Sequence, residues 1–436
     1  MTVLEQVLDI ARRRADAAEV HLATSEARPV QFENNELKYV HSKSARVLSL
    51  RIIQGGRLGF ASTTDLSAPS ERLVAQALES AQFGQEAKFQ FPAAAPCPEV
   101  ALYDPRVAEF PVERGIELGR NAIAAVLAQF DDVQCYVEVN RTVATERLMN
   151  TSGLDVQERT TGFDCGLTAI RVRDGGILWV SDGESSRALT ANFDRYTAKV
   201  IGDIRLAETE APAPSGTLPV LFTAKAVGLL LQIIESAVNG KLVQKGASPL
   251  VGRLGEPVLG PEVTLWDDGT RPYGDGSSRF DSEGVPAQRT AVFERGVLRS
   301  YLFDLQTAGM LGAVSTGNAG RAFASIPAPE ATNFVLEPGS ETFDGLLAGI
   351  ERGLLVDEVI GGGQSNVLAG EFSVNVSLGF LVERGERVGR VKDCMVAGNV
   401  FDLFRRVRGL GDVPEVHGPI VAPPVCFDGV HVAGGH

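Results

Sequence analysis

Residues 48–62 read LSLRIIQGGRLGFAS and residues 168–181 read TAIRVRDGGILWVS, and the two lines superpose at a shift of 120. Arg51 falls on Arg171, Ile52 on Val172, Gly55-Gly56 on Gly175-Gly176 and Leu58 on Leu178. In each, apolar residues alternate on both sides of a paired turn. A two-residue β-hairpin requires this, because its turn imposes positive φ, which glycine accepts at no steric cost.

The likeness extends upstream. A helix pattern over Val3–Ala17 precedes a strand over Ala18–Ala23, and a helix pattern over Arg114–Gln129 precedes a strand over Val133–Asn140. Two copies, about 1–65 and 114–185, therefore predict an α+β domain built by duplication over residues 1–210. Phe89–Pro98 (FQFPAAAPCP) resists regular structure and reads as the connector between copies.

Glu208–Pro219 carries three prolines in twelve residues and marks the end of the duplicated half. The following region, 218–436, shows a helix pattern over Lys225–Val238 and a second over Phe343–Leu354. Otherwise it consists of short strands punctuated by glycine turns such as DDGT, SEGVP, GGGQ and ERGE. The expectation is a mainly antiparallel sheet domain. A chain of 436 residues exceeds what a single core usually serves, which agrees with two domains.

A formal charge of −14 and a pI near 5.0 oppose loose electrostatic binding to nucleic acid or anionic lipid. No charged-then-apolar leader opens the sequence, and no apolar run reaches the roughly twenty residues that span a bilayer. The expectation is a cytoplasmic protein without membrane contact. Five scattered cysteines with no CxxC pair fit reduced thiols.

The strings KLVQKGASPLVGRLGE (241–256), DDGT (267–270), DSEGVPAQRTAVFERGVLRSYLFD (281–304), STGNAGR (315–321) and GGGQSNVLAGEFSVNVSLGFLVERGE (361–386) resemble, in order and spacing, the TldD/PmbA family, the "modulator of DNA gyrase" proteins. NNELKYVHSKSARVLSLRIIQGGRLGF (34–60) is similar to that family's N-terminal signature. The resemblance implies a two-domain α+β protein, homodimeric or heterodimeric, engaged in proteolysis of peptides and small proteins. It also implies two kinds of subunit. The TldD type carries an H-E-x-x-x-H stretch and a later cysteine as ligands of a catalytic metal, and the PmbA/TldE type lacks them.

Counting back from Lys245-Gly246, those motif positions fall on Leu231, Gln232 and Ser236, and the stretch before His417 reads GDVPEV, with no cysteine. Leucine and serine offer no imidazole to a zinc ion, and glutamine cannot take a proton from water. The resemblance thus implies a metal-less PmbA/TldE-type subunit: no catalytic residue and no metal on this chain, with zinc expected on a TldD-type partner.

Other chemistries find little support. No two of the five histidines (His21, His41, His417, His431, His436) stand at i, i+4. The acidic run Asp267, Asp268, Asp275, Asp281, Glu283 lacks calcium-loop spacing and reads as turn chemistry. Ser248 and Ser365 sit in no nucleophile elbow, and the strings Gly361–Gly363 and Gly317–Gly320 lack the lysine of a phosphate loop.

On this reading the helix Lys225–Val238 faces a substrate cleft, with Gln232, Glu235, Ser236 and Asn239 as its cleft-facing polar residues, and the substrate is an extended peptide held along a sheet edge. The alternatives are a partner-free regulatory protein linked to gyrase or toxin control, and an autonomous hydrolase with an unrecognised site.

Overall fold

The computed structural model describes residues 2–173, 176–190, 192–361 and 365–435. Asp174-Gly175 of the second hairpin turn, Gly362-Gly363-Gln364 of the glycine string and His436 lie outside the described residues. The fold is α+β with mainly antiparallel sheets.

The strands of both expected copies form one seven-stranded sheet. Its order is Arg57–Thr63, Lys43–Gln54, Ala17–Glu33, Val133–Asn150, Asp155–Arg173, Gly176–Ser186, with the short Glu36–Val40 paired to Ala17–Glu33. The first and second three-stranded runs meet at the two central strands, where Thr24 lies opposite Thr145, so the strand order is two-fold symmetric. Each copy is flanked by helices: Val3–Arg12 and Ser70–Ala81 for the first, Val112–Leu127 and Phe193–Leu206 for the second. Gly55 and Gly56, at φ 55° and 72°, form the first hairpin's turn, and Gln54 pairs with Arg57 across it. Phe89–Pro98 is devoid of helix and strand.

In the second half, hydrogen bonds close five strands into a ring. Gly216–Phe222 pairs with Val425–Gly434, which pairs with Cys394–Asn399, then Glu371–Glu383, then Arg352–Ile360, which returns to Gly216–Phe222. The closing pair is parallel, with Leu354, Leu355 and Val356 beside Val220, Leu221 and Phe222. All six are buried, and alternate side chains enter different cores: Val220, Phe222, Leu354 and Val356 one, Leu221 and Leu355 the other. This corrects the helix expected over Phe343–Leu354. The helix ends at Ala348, and the Gly353–Val356 run is apolar at every position, the pattern of a strand covered on both faces.

A smaller six-stranded sheet joins Val297–Leu298, Arg289–Glu294 and Leu265–Asp268 to Phe334–Leu336, Ile420–Ala422 and Glu415–His417. The helix Ala224–Val238 packs against both systems. Leu230, Leu231, Ile233 and Ile234 all enter the core, because a helix apolar on most of its circumference must be covered all round. No helix among the described residues is long and apolar enough to cross a membrane.

The halves interlock in two ways. One apolar core draws Leu167, Val180 and Tyr196 together with Leu221, Leu355, Phe380 and Cys426. The second is ionic. Arg51, only 2% exposed, donates to Glu283 at 2.5 Å and to Glu19 at 2.9 Å, and Arg321 donates to Glu19 at 2.7 Å. Glu19 and Glu283 have no exposed surface. Burial opposes ionisation of Glu19, but Arg51 and Arg321 outweigh it, and its pKa is lowered. The rings of Phe89 and Phe91, from the connector, stack on the Arg51 guanidinium at 5.0 and 5.1 Å.

Candidate functional site

The helix Ala224–Val238 begins at Thr223, whose hydroxyl accepts from the Ala226 N–H. Lys225 anchors this end. Its ammonium donates to the Ser181 carbonyl (2.8 Å), the Ser181 hydroxyl (3.0 Å) and Glu358 (2.7 Å), tying the helix to the outermost strand of the first sheet and to the ring.

The four polar candidates have different surroundings. Gln232 is exposed, and Glu235 and Ser236 are half-buried. Burial first, then the nearby carboxylates Asp267 and Glu330, push Glu235 up to about 7. Asp267 is itself raised to about 6 by burial, although Asn318 and Thr332 donate to it at 2.7 and 2.6 Å. Asn239 is bonded at both ends of its amide: Oδ1 accepts from the Lys241 N–H (3.0 Å), and Nδ2 donates to the Pro329 carbonyl (2.8 Å). Gln232 and Ser236, one turn apart, share a helix face with Lys225 and Gly228.

The acidic run serves the loops. Asp281 accepts from the backbones of Glu283, Val285 and Ala319 at 2.9–3.0 Å, and Glu283 from Leu305 at 2.6 Å. His417 pairs with Glu415 at 3.3 Å, whereas His431 meets Thr217 at 3.2 Å.

Sequence reasoning missed a cavity of about 250 Å³ at the N-terminal end of this helix. Its charged wall includes Asp182, Lys199, Asp203, Lys225, Asp357 and His417, and Leu355, Phe380 and Phe343 supply apolar surface. These residues come from both halves, so no local pattern joins them. The one signal was a charge at the end of an apolar strand, as in Leu354-Leu355-Val356-Asp357.

Residues 215–434 match the PmbA/TldA metallopeptidase C-terminal domain, and residues 18–81 match PmbA/TldA metallopeptidase domain 1. The chain belongs to the PmbA/TldD family. Among its relatives, an uncharacterized protein of Methanocaldococcus jannaschii is 27% identical, over 98% of this chain and 99% of that one. The metalloprotease PmbA of Escherichia coli O157:H7 is 26% identical, over 98% and 94%. A metalloprotease TldD homolog of Haemophilus influenzae is 32% identical, but over 47% of this chain and 42% of its own length. A Thermotoga maritima protein proposed as a modulator of a DNA gyrase shares the fold at a TM-score of 0.90, with 27% identity and 99% of both chains covered. TldE of Thermococcus kodakarensis superposes with a TM-score of 0.90 at 22% identity, over 99% of this chain and all of the other.

The resemblance sets the metal motif of the TldD type against Leu231, Gln232 and Ser236, and these three side chains do not fit a zinc ion. At the motif positions this chain offers the fully buried alkyl group of Leu231, the amide of Gln232 and the hydroxyl of Ser236. None is a good zinc donor. Among the described residues, no three His, Cys, Asp or Glu side chains are grouped as an ion would need.

Proposed function

We propose that this chain is the metal-less subunit of a two-chain peptidase of the PmbA/TldD family, holding an extended peptide or small protein while a TldD-type partner carries the metal. The observation that carries the reading is the position of Leu231: where the TldD type has a metal-binding histidine, this helix turns an alkyl group into the core. The face with exposed Gln232 and half-buried Ser236 lies on the same helix and forms one wall of the cleft. Strand edges near it hold the polypeptide through main-chain hydrogen bonds, which ignore side-chain identity.

In this arrangement the chain contributes binding and orientation, and the bond is cut by groups on the partner. Such a division is chemically sound, because positioning a reactant next to a catalytic group lowers the barrier whichever chain supplies the contacts. The site of action is the cytoplasm.

Native mass spectrometry of the protein, purified gently from its own cells, tests this. The expected spectrum is a one-to-one complex with a chain of similar size, its metal leaving with that chain. Metal retained on this chain alone would overturn the reading. A metal-free homodimer without a partner would favour a regulatory protein instead.

A further inference from the structure

The cavity at the N-terminal end of the helix Ala224–Val238 has a charge arrangement that peptide holding by strand edges does not use. Most cations in its wall are already matched. Lys199 lies 2.8 Å from Asp203 and 3.5 Å from both oxygens of Asp357, and Lys225 is bonded to Glu358. His417 faces Glu415, whose pKa that hydrogen bond lowers. Arg387 stands exposed among the lining residues.

Asp182 is different. It is 8% exposed, and its Oδ1 accepts a single hydrogen bond, from the Gly183 N–H at 2.9 Å. Its second oxygen meets no donor among the described residues, and the side chain lines the cavity. Burial raises the pKa of Asp182 despite the nearby Lys199 and Lys225, and that of Asp203 despite its bond to Lys199. An acceptor that faces the cavity free of protein donors is open to a cationic donor entering it. Apart from exposed Arg387, an anionic ligand would have to displace Asp203 or Asp357 from Lys199 or Glu358 from Lys225, whereas a cation needs only the oxygen left open. The cavity's volume of about 250 Å³ admits a butyl chain, and Leu355 and Phe380 supply the apolar contact such a chain wants.

We propose that this cavity is a subsite for an alkylammonium group, brought by a bound peptide as its N-terminal amine or as a lysine side chain, with Asp182 as the fixed counter-charge. The peptide part of this statement rests on the function proposed above. The cation part rests on the cavity alone.

The test uses the full chain and ligand-observed NMR titration with n-butylammonium and its neutral isostere n-butanol. Four alanine-based pentapeptides are added, with lysine or norleucine at the centre and with free or acetylated N-termini. Wild type is expected to bind n-butylammonium in preference to n-butanol, and Asp182→Asn to lose about tenfold or more of that affinity, the scale of one charge-assisted hydrogen bond. Asp203→Asn, which leaves Lys199 less neutralised, should weaken binding in the same direction and serves if Asp182→Asn fails to fold. Loss of peptide binding on acetylation assigns the group to the N-terminus, and loss on replacing lysine by norleucine assigns it to the side chain. Equal binding of n-butylammonium by wild type and the variants, or no binding by wild type, overturns the subsite. Binding of n-butylammonium that depends on Asp182, with no binding of any peptide, keeps the subsite and removes the peptide-holding function instead.

Discussion

Replacing Arg51 by Met should cost far more than the same change at Arg171, although the two arginines occupy one position of a duplicated hairpin. Arg51 is 2% exposed and partners two carboxylates with no exposed surface. Its removal leaves Glu19 and Glu283 sharing Arg321, and Glu283 keeps only the N–H of Leu305 as a close donor. Breaking a buried ion pair by deleting one partner costs about 3–5 kcal/mol, because an uncompensated charge stays in the interior. Unfolding entropy of about 2.1 cal/mol/K per residue makes that roughly 3–6 °C in Tm for a chain of 436 residues melting as one unit. Arg171 pairs instead with Asp132 and Glu208, whose side chains are 31% and 47% exposed, so water rehydrates them when it is lost. That change should cost about 1 kcal/mol. Urea unfolding of both variants at pH 7 measures the difference, and Arg51→Met combined with Glu283→Gln should recover part of the loss. Equal costs at the two positions, or a loss below about 1 kcal/mol at Arg51, would refute the view that the ionic cluster fastens the halves together.

Three further outcomes are expected. Changing Gln232 and Ser236 to alanine should reduce peptide processing by the assembled complex without preventing assembly; unchanged turnover by an intact complex would remove this helix face from the cleft. Glu235 has a folded pKa of about 7 against an ordinary 4.5, so the folded state holds a proton that the unfolded state releases, and stability falls as pH rises through that window. Glu235→Gln should therefore match wild type near pH 4 and exceed it at pH 8, by no more than about 3 kcal/mol, and thermal melts across pH would expose the wrong sign at once. The triple variant Leu231→His, Gln232→Glu, Ser236→His should bind no stoichiometric zinc and lose about 2 kcal/mol or more, because an imidazole at Leu231 would be buried without a partner; elemental analysis and a melt decide it.

Much of this architecture could be read from residue patterns, and the exceptions have physical causes. The first paired-glycine hairpin was legible because its turn geometry admits few residues, and Ala224–Val238 was legible from its apolar spacing. The central strands were foreseen too short, ending at Ala23 and Asn140 where the structure continues to Glu33 and Asn150. Their middle portions, such as Thr24–Arg28, are polar, and hydrogen bonding to both neighbours, rather than burial, keeps them extended. The helix Ser70–Ala81 escaped notice because Glu, Arg and Gln dilute its apolar stripe. Ring closure and the ionic cluster rest on pairs such as Leu355 with Leu221 and Arg51 with Glu283, which are more than a hundred residues apart and leave no local trace. In the candidate site, Gln232 and Ser236 were expected by counting from a motif, whereas Asp182, Lys199 and Asp357 come from three separate elements and required the fold.

The common core of Leu167, Val180 and Tyr196 with Leu221, Leu355 and Phe380 means that the peptide bonds between Glu208 and Gly216 are not what keeps the molecule whole. A protease nicking that proline-rich stretch would release no free fragment, and two genes encoding the pieces separately would still yield one particle. Either piece made by itself, however, would display that greasy seam to the solvent and depend on chaperones until its complement arrived.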